Sequence, residues 1–361
     1  MRIAILIGAL QKGGTERVAV NIIDHMLSRG HEIILVTQYK KENEYPLNKT
    51  AKRIISDITE AETTDSRIIN FYRRFKKLRR IWQSEKPDLI LSFIGKNNMM
   101  AVMTGRFLSI PVTVAVRGMP EAEYPSALEK YAAFFIYRFA EGILLQTEES
   151  RNFFPPHLRR KLSILRNPIS SRFFRERYEG ERDKTIVAVG RIDDNKNHRL
   201  LIQAFARLAD KYPEYQVIIY GEGDLKETLK EEAALLKLSD RIHFPGNSDC
   251  IEEDIYRASI YVLCSDTEGS PNTLIEAMLL GLACIATDCP CGGPGDLIEH
   301  GENGFLTQVR SIEKMKENLQ HLLENPHLIN QIGVNAHKLK DIYDPQTIYE
   351  SWEKYLTGFK K

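Results

Sequence analysis

Short apolar runs alternate with segments of helical periodicity along the chain, and this pattern starts afresh near the middle. The runs that indicate strands are 2–7, 31–37, 87–92, 111–116, 142–146, 162–165, 185–189, 216–220, 242–244, 260–264 and 283–287. Runs of this length beside glycine turns are typical of strands buried on both faces, and the helical segments between them are typical of parallel crossovers. The sequence therefore predicts an α/β protein with two doubly wound domains.

The length of 361 residues agrees with two domains, because a domain of average size holds about 150 residues. We predict a first domain over 1–170 and a second over 171–344. No run of about 18 apolar residues is present, so no transmembrane helix is expected. The apolar residues 1–10 lead into Gln11-Lys12-Gly13-Gly14, which indicates a first strand rather than a signal peptide.

Five cysteines are present, an odd number, and their spacing matches no common zinc site. Cys289-Pro290-Cys291 is too tight for a Cys-x-x-Cys motif, so reduced thiols of a cytoplasmic protein are expected. The chain also lacks an Asp-x-Asp motif and a paired-histidine cluster. We therefore expect no metal ion and no other cofactor.

The net charge of +1 conceals an asymmetry between the two halves of the chain. Residues 1–170 hold 27 Lys+Arg and 17 Asp+Glu, a charge of +10, whereas the remainder holds 23 and 32, a charge of −9. Such asymmetry indicates an anionic partner for the first half. By charge alone this partner could be nucleic acid, an anionic membrane surface or a lipid phosphate.

The segment from Glu268 to Glu276 places two carboxylates around a predicted helix start. It follows an apolar strand, and Ser270 suits the N-cap position while Pro271 suits the first helical position. A helix N-terminus between two hydroxyl acceptors would suit a sugar nucleotide, with the diphosphate at the backbone N–H groups. The alternative is purely structural, since acidic residues near a helix start commonly complement the helix dipole.

The sequence Glu-Gly-Ser-Pro-Asn-Thr-Leu-Ile-Glu-Ala-Met at 268–278 resembles the signature of the family 4 retaining glycosyltransferases. Gly190-Arg191, Lys196-Asn197 and Gly292-Gly293 match the same family in order and spacing. The resemblance implies a GT-B fold, in which two Rossmann-like domains face each other across a cleft. It also implies that the C-terminal domain holds most of a nucleotide-sugar donor, and that the last helix, within 345–361, packs back on the first domain.

The resemblance further implies a catalytic set of Arg191, Lys196 and Glu268. Arg191 and Lys196 would clamp the donor diphosphate and stabilise its charge as it leaves, in place of a metal ion. Glu268 would bind hydroxyls of the donor sugar and Glu276 those of the ribose. The other donor-binding positions implied are Gly14, Arg117, Gly190, Gly269, Ser270, Pro271, Asn272, Thr273 and Leu274.

Arg117 departs from the family pattern, because many members carry a histidine at the end of this strand, facing the donor sugar. The resemblance therefore does not assign the role of that histidine to Arg117. We expect Arg117 to meet a phosphate group instead, since arginine forms bidentate hydrogen bonds to phosphate.

The segment 67–82 combines an apolar stripe at helical spacing with seven cations and no acid. It predicts a basic amphipathic helix, whose polar side is either an ordinary solvated face or a surface for anionic lipid headgroups or a lipid-linked diphosphate. The acceptor or membrane contacts that we predict are Arg73, Arg74, Lys76, Lys77 and Arg80. The aromatic segment 124–139 predicts another helix, which belongs either to the core or to a membrane-facing surface.

These observations predict retaining transfer of a hexose or N-acetylhexosamine from a nucleotide sugar, with UDP favoured by bacterial relatives, to a lipid-linked or cell-surface glycan. We expect a cytoplasmic enzyme of polysaccharide or lipopolysaccharide biosynthesis, peripheral on the inner face of the membrane, with no nucleic acid partner. The alternatives are another GT-B enzyme, such as a nucleotide-sugar epimerase or a phosphorylase, and a non-catalytic sugar-nucleotide binding protein. A Rossmann oxidoreductase is disfavoured, because Gly-x-Gly-x-x-Gly does not follow the first strand.

Overall fold

A computed structural model describes residues 1–11 and 13–359. The chain divides into two compact units, and each unit is built on one sheet of parallel strands. Unit 1 comprises Met1–Pro168 together with the C-terminal segment that starts at Pro345, and unit 2 comprises Ile169–Asp344. The predicted α/β class with two doubly wound domains is therefore confirmed.

Unit 1 contains a seven-stranded sheet in the order β3-β2-β1-β4-β5-β6-β7. Its strands are β1 (Arg2–Ile7), β2 (Glu32–Thr37), β3 (Lys52–Ile55), β4 (Leu89–Phe93), β5 (Val112–Ala115), β6 (Gly142–Leu145) and β7 (Leu162–Ile164). The helices are α1 (Gly14–Ser28), α2 (Arg67–Glu85), α3 (Gly95–Arg106), α4 (Pro120–Glu123) and α5 (Ala127–Tyr137), and α12 (Pro345–Thr357) is added from the C-terminus.

Unit 2 contains a six-stranded sheet in the order β10-β9-β8-β11-β12-β13. Its strands are β8 (Asp183–Val189), β9 (Gln216–Tyr220), β10 (Ile242–Gly246), β11 (Ala258–Leu263), β12 (Ala283–Asp288) and β13 (Phe305–Gln308). The helices are α6 (Arg199–Ala206), α7 (Lys226–Leu235), α8 (Ile251–Asp254), α9 (Asn272–Leu279), α10 (Ile312–Glu324) and α11 (Pro326–His337).

The central strands of both sheets are apolar on both faces because helices cover both faces, as the sequence pattern predicts. Every residue of β11 is buried, for example, and so is every residue of β4. None of the helices that the structure describes is long and apolar enough to cross a membrane.

The C-terminal helix α12 is held on unit 1 by polar contacts as well as by its apolar face. The indole N–H of Trp352 donates to the carbonyl of Arg166 over 2.9 Å, and the Tyr355 and Thr113 hydroxyls lie 2.9 Å apart. The carboxylate of Glu353 accepts from the Arg29 side chain on α1 over 3.0 Å. Chain segments from both ends of the sequence therefore build one unit.

The predicted helix over 124–139 is present as α5, but it is shorter at both ends and covers Ala127–Tyr137. The separate short helix α4 ends at Glu123, before the predicted segment begins. Ser126 caps α5, since its hydroxyl accepts from the amide of Glu129 over 3.2 Å and Glu129 bonds back to Ser126. This capping box satisfies the first amides of α5 and so defines a new helix start.

Candidate functional site

The strand order of unit 2 brings two polar loops together at one edge of the sheet. β8 and β11 are neighbours, so the loops that follow Val189 and Leu263 leave the sheet side by side. This is also where the order of the strands reverses, with β9 and β10 on one side of the pair and β12 and β13 on the other. Ligands of doubly wound proteins bind at the carboxyl ends of the strands at such a point.

Reciprocal hydrogen bonds join the two loops. The Asn195 amide donates to the carbonyl of Thr267 over 3.2 Å, and the Thr267 hydroxyl donates back to the Asn195 side chain over 2.7 Å. The backbone amide of Asp266 donates to the carbonyl of Asn195 over 2.8 Å. Asn197 has a left-handed backbone with φ +44°, which asparagine tolerates better than most residues, and it donates to Asp266 over 3.2 Å. The loops therefore form one connected platform.

Lys196 and Glu268 are in direct contact on this platform. The Lys196 ammonium lies 2.5 Å from Oε1 of Glu268, and the two side chains are only 16% and 12% exposed. Ser265, at the end of β11, donates its hydroxyl to the same oxygen over 2.6 Å. Two of the three predicted catalytic residues therefore meet, although 72 residues separate them in sequence.

Arg191 lies on the same loop as Lys196 but is much more accessible. Its side chain is 67% exposed, and one guanidinium nitrogen lies 3.1 Å from a carboxylate oxygen of Asp193. The other oxygen of Asp193 accepts from the backbone amide of Lys196 over 2.9 Å. Asp193 therefore fixes the loop between the two cations and leaves the Arg191 guanidinium at the surface.

The helix α9 begins one residue later than the sequence predicts. Pro271 is the N-cap, in extended conformation, because its carbonyl accepts the first helical bonds from Leu274 and Ile275 over 3.0 and 3.2 Å. The prediction of Ser270 as N-cap and Pro271 as first helical residue is therefore wrong. Glu276 lies just over one turn into α9 and is buried.

Close backbone approaches explain several glycines of the motifs. A Cβ atom at Gly293 would overlap the carbonyl oxygen of Gly269, and one at Gly221 would overlap that of Gly190. Gly269 thus lies against the Gly292-Gly293 turn, and Gly190 against the turn after β9. Any side chain at Gly293 or Gly221 would displace a loop that carries predicted site residues.

A hydrogen bond from β11 holds Thr273, another predicted donor-binding residue, in place. Its hydroxyl accepts from the hydroxyl of Tyr261, a buried residue of β11, over 2.7 Å. Asn272 and Leu274 lie in the same first turn of α9 and are buried. The Tyr261 side chain of β11 therefore holds the first turn of α9 in place.

His198 is a neighbour of this platform that sequence reasoning missed. It is buried directly after the Lys196-Asn197 turn, and burial together with the Lys196 charge lowers the pKa of His198 to about 4. The imidazole is therefore neutral at pH 7 and adds no charge to the site. Asn195, Asp266, Thr267 and Ser265 were missed as well, although their positions at the ends of adjacent predicted strands were a usable signal.

Two predicted donor-binding residues, Gly14 and Arg117, lie in unit 1. Gly14 is the first residue of α1, and Arg117 follows β5 at the same edge of the sheet. The Arg117 guanidinium donates to the Asn167 side chain, while its backbone amide donates to Glu123 over 2.8 Å. Burial lowers the pKa of Arg117 to about 10 and raises that of Glu123. Arg117 thus has internal partners where a phosphate contact was predicted.

The five predicted acceptor or membrane contacts on α2 divide into two groups. Arg74 donates to the Asp57 carboxylate over 2.6 Å and Lys77 donates to the Asp57 carbonyl. Arg73 donates to the carbonyl of Glu62. These three cations hold the loop that follows β3. Lys76 and Arg80 are exposed and have no ion pair within the described part of the chain.

The described residues contain no group of three or more His, Cys, Asp or Glu side chains that could hold a metal ion. The cysteines have free thiols, and only Cys250 is exposed. Burial raises the pKa of Cys289 to about 12, so this thiol beside Glu268 is protonated at pH 7. The chemistry that the site offers is therefore hydrogen bonding and charge stabilisation around a helix N-terminus.

Comparison with known families agrees with this geometry. Residues 170–339 match the model of glycosyl transferases group 1, and residues 12–173 match that of glycosyltransferase family 4. Together the two models account for nearly the whole chain, with one model for each unit.

Relatives and solved structures agree over the full length. An uncharacterized glycosyltransferase of Haemophilus influenzae is 27% identical and matches 95% of this chain and 96% of its own length. A GalNAc-α-(1→4)-GalNAc-α-(1→3)-diNAcBac-PP-undecaprenol α-1,4-N-acetyl-D-galactosaminyltransferase of Campylobacter jejuni is 23% identical. It matches 100% of this chain and 99% of its own length. The crystal structure of Anabaena HepE with UDP-glucose is 18% identical, with a TM-score of 0.83 over 99% of this chain and 100% of HepE. The fold is therefore GT-B.

Proposed function

Since this chain belongs to the family 4 glycosyltransferases, we propose that it transfers a hexose or N-acetylhexosamine from a UDP-sugar to a lipid-linked or cell-surface glycan, with retention of configuration. The observation that carries the proposal is the contact of Lys196 with Glu268 at the start of α9, next to Arg191. The ammonium and the carboxylate lie 2.5 Å apart, which supports a site where Lys196 would bind the diphosphate and Glu268 the adjoining sugar.

The donor would lie along the joined loops of unit 2. Lys196 and Arg191 would bind the diphosphate, with the backbone around Gly190 and the segment 269–274 lining its path. Glu268 would accept hydrogen bonds from the sugar, and the buried carboxylate of Glu276 would accept them from the ribose. The structural neighbour HepE binds UDP-glucose, which supports a UDP-sugar as donor.

Bond cleavage leaves negative charge on the diphosphate. Two cations and the positive end of α9 would stabilise this charge, and electrostatic stabilisation of this kind replaces the metal that many other transferases require. No carboxylate is assigned as a nucleophile, and Glu268 serves as the acceptor for the sugar hydroxyls. Retention would then follow from attack on the same face that the leaving group vacates.

The acceptor would be built on a lipid diphosphate at the cytoplasmic face of a membrane. The Campylobacter relative acts on a glycan carried by diphospho-undecaprenol, which supports this class of acceptor. The exposed cations Lys76 and Arg80 on α2 would contribute to attraction toward anionic headgroups, each by about 1 kcal/mol near the surface. Gly14 and Arg117 of unit 1 stay predictions as donor-binding residues.

The proposal is tested by offering a panel of radiolabelled UDP-sugars to the enzyme with a membrane extract. One UDP-sugar should label the lipid fraction, and NMR of the product should show the same anomeric configuration as the donor. Arg191→Ala should lose transfer, whereas Arg257→Ala should not, since Arg257 is similarly exposed but pairs with Asp183 at the opposite end of β8. Formation of an epimeric UDP-sugar, or binding without turnover, would overturn the proposal.

A further inference from the structure

The exposed aromatic side chains are distributed very unevenly between the two units. In the described part of the chain, every large aromatic residue that is exposed belongs to unit 1. The exposed large apolar residues of unit 2 are all aliphatic and number four, Leu235, Leu236, Val334 and Ile342. Scattered exposed leucines need no explanation, whereas clustered aromatics indicate an interaction surface.

Four of these aromatics form what we term the aromatic ridge: Phe107, Tyr131, Phe135 and Phe139 are 67%, 68%, 59% and 43% exposed. Three of them, with Leu128 at 81%, recur at helical spacing along α5 and just beyond its end. The opposite face of α5 buries Ala133, Phe134 and Tyr137 in the core. The helix is therefore apolar on two sides, and only one side is covered.

Cations accompany the rings of the ridge. Arg138 lies 5.8 Å from the ring centre of Phe135, Arg106 lies 5.6 Å from that of Phe139, and Arg79 of α2 lies 5.6 Å from that of Phe107. The one acid of α5, Glu129, is engaged in the capping box at the start of that helix. The surface is thus apolar and positively charged at the same time.

The ridge is continuous with the basic helix α2. Phe107 packs edge to face against Phe75 of α2, with ring centres 6.5 Å apart. Further along α2, Phe71 and Tyr72 are 48% and 61% exposed. The α2 cations and the ridge rings therefore belong to one surface of unit 1.

We infer that the aromatic ridge inserts into the interfacial layer of an anionic lipid bilayer while the neighbouring cations bind the headgroups. Aromatic rings with an accompanying arginine or lysine match this layer, because rings prefer the headgroup level and long cationic side chains extend outward to water and phosphate. A second copy of the chain fits this surface less well. A two-fold interface would place the ridge cations of both copies against each other.

This inference rests on the proposed function at a membrane. It adds insertion of α5 into the bilayer to the attraction between the α2 cations and anionic headgroups. The test uses vesicles of phosphatidylcholine with and without phosphatidylglycerol, and neither donor nor acceptor. Phe135→Trp provides a fluorescent probe, because the native residues Trp82 and Trp352 are buried. Its emission should shift to the blue and be quenched by brominated acyl chains, while Leu235→Trp in unit 2 should remain unquenched.

A second pair of variants measures the contribution to binding. Phe135→Ser with Phe139→Ser should lower partitioning onto anionic vesicles by about tenfold or more, on the scale of burying a single large apolar side chain. Leu235→Ser with Leu236→Ser should leave it unchanged. Circular dichroism and thermal melting verify that all variants are folded.

Three results would overturn the inference: an unquenched tryptophan at position 135, unchanged partitioning of the serine variant, or a ridge-dependent dimer in light scattering without vesicle binding. Donor hydrolysis in detergent is measured separately. Donor hydrolysis without vesicle binding would contradict only this inference. Membrane insertion without transferase activity would contradict only the proposed function.

Discussion

Replacing Glu268 by Gln should make UDP bind more tightly while slowing sugar transfer. In the resting site the Lys196 ammonium is paired with Glu268 over 2.5 Å, so a diphosphate must compete with this carboxylate for its cation. The two side chains are 16% and 12% exposed, so water weakens the pair less than it weakens a surface pair. The Glu268→Gln substitution keeps the shape of the side chain but removes the competing charge.

The magnitude follows from replacing an ion pair by a hydrogen bond from the Lys196 ammonium to a neutral amide. That hydrogen bond remains charge-assisted, but the attraction between two opposite charges is lost, which releases Lys196 by about 1 kcal/mol. This corresponds to roughly five- to tenfold tighter binding of UDP. Turnover should fall about a hundredfold at the same time, because the sugar loses its carboxylate partner.

Isothermal titration calorimetry with UDP measures the first effect, and initial transfer rates measure the second. Ser265→Ala is a suitable control, because it removes the 2.6 Å hydrogen bond to Glu268 but leaves the ion pair in place. It should change UDP affinity by less than about twofold, the scale of a few tenths of a kcal/mol. Glu276→Gln should weaken UDP binding. Unchanged or weaker UDP binding by the Glu268→Gln variant would show that Lys196 does not exchange between carboxylate and diphosphate.

Three further predictions concern the clamp, the metal and the pH dependence of stability. Arg191→Ala and Lys196→Ala should each lower turnover by roughly a hundredfold, the scale of losing one charge-stabilising donor, and near-normal turnover would place the diphosphate elsewhere. Transfer should persist in excess EDTA, and rescue of a lost activity by magnesium or manganese would contradict metal-free charge stabilisation. The hydrogen bond from Arg53 lowers the pKa of Glu44 from 4.5 to about 2. The ionised pair therefore stabilises the fold fully above pH 4.5 and loses its contribution as the pH falls toward 2. The free energy of unfolding, measured by denaturant titration at several pH values, should therefore fall less steeply below pH 4.5 in the Glu44→Gln variant. An unchanged pH dependence would show that other groups cause the loss of stability in acid.

Local signals in the sequence predicted the elements well where periodicity was strong. The helix α2 was predicted over 67–82 and extends to Glu85. The start of α5 was placed three residues too early, although Ser126 and Glu129 have the spacing of a capping box. Aromatic content extended the predicted helix to residue 124, whereas hydrogen bonding of the first amides determines where a helix begins.

The number of cations on α2 did not indicate which of them bind other parts of the chain. Arg74 and Lys77 both reach Asp57, which lies two residues beyond the edge strand β3. That contact exists only because β3 pairs with β2 and brings the following loop beside α2, and no local pattern reports such pairing. Substitutions at Lys76 and Arg80 therefore test the proposed membrane contact more cleanly than substitutions at Arg74 and Lys77, which also release a loop.

The predicted catalytic residues Lys196 and Glu268 show the same dependence on strand order. Lys196 follows β8 and Glu268 follows β11, and the two residues meet because β11 adds beside β8 rather than beside β10. Each loop alone resembles an ordinary polar turn, and each could carry its charge as a solvated residue. The reversal of strand order converts them into a paired cation and carboxylate at a helix N-terminus. The resting ion pair is therefore a consequence of topology, and a nucleoside diphosphate that exchanges with Glu268 for Lys196 would leave the carboxylate available to the sugar.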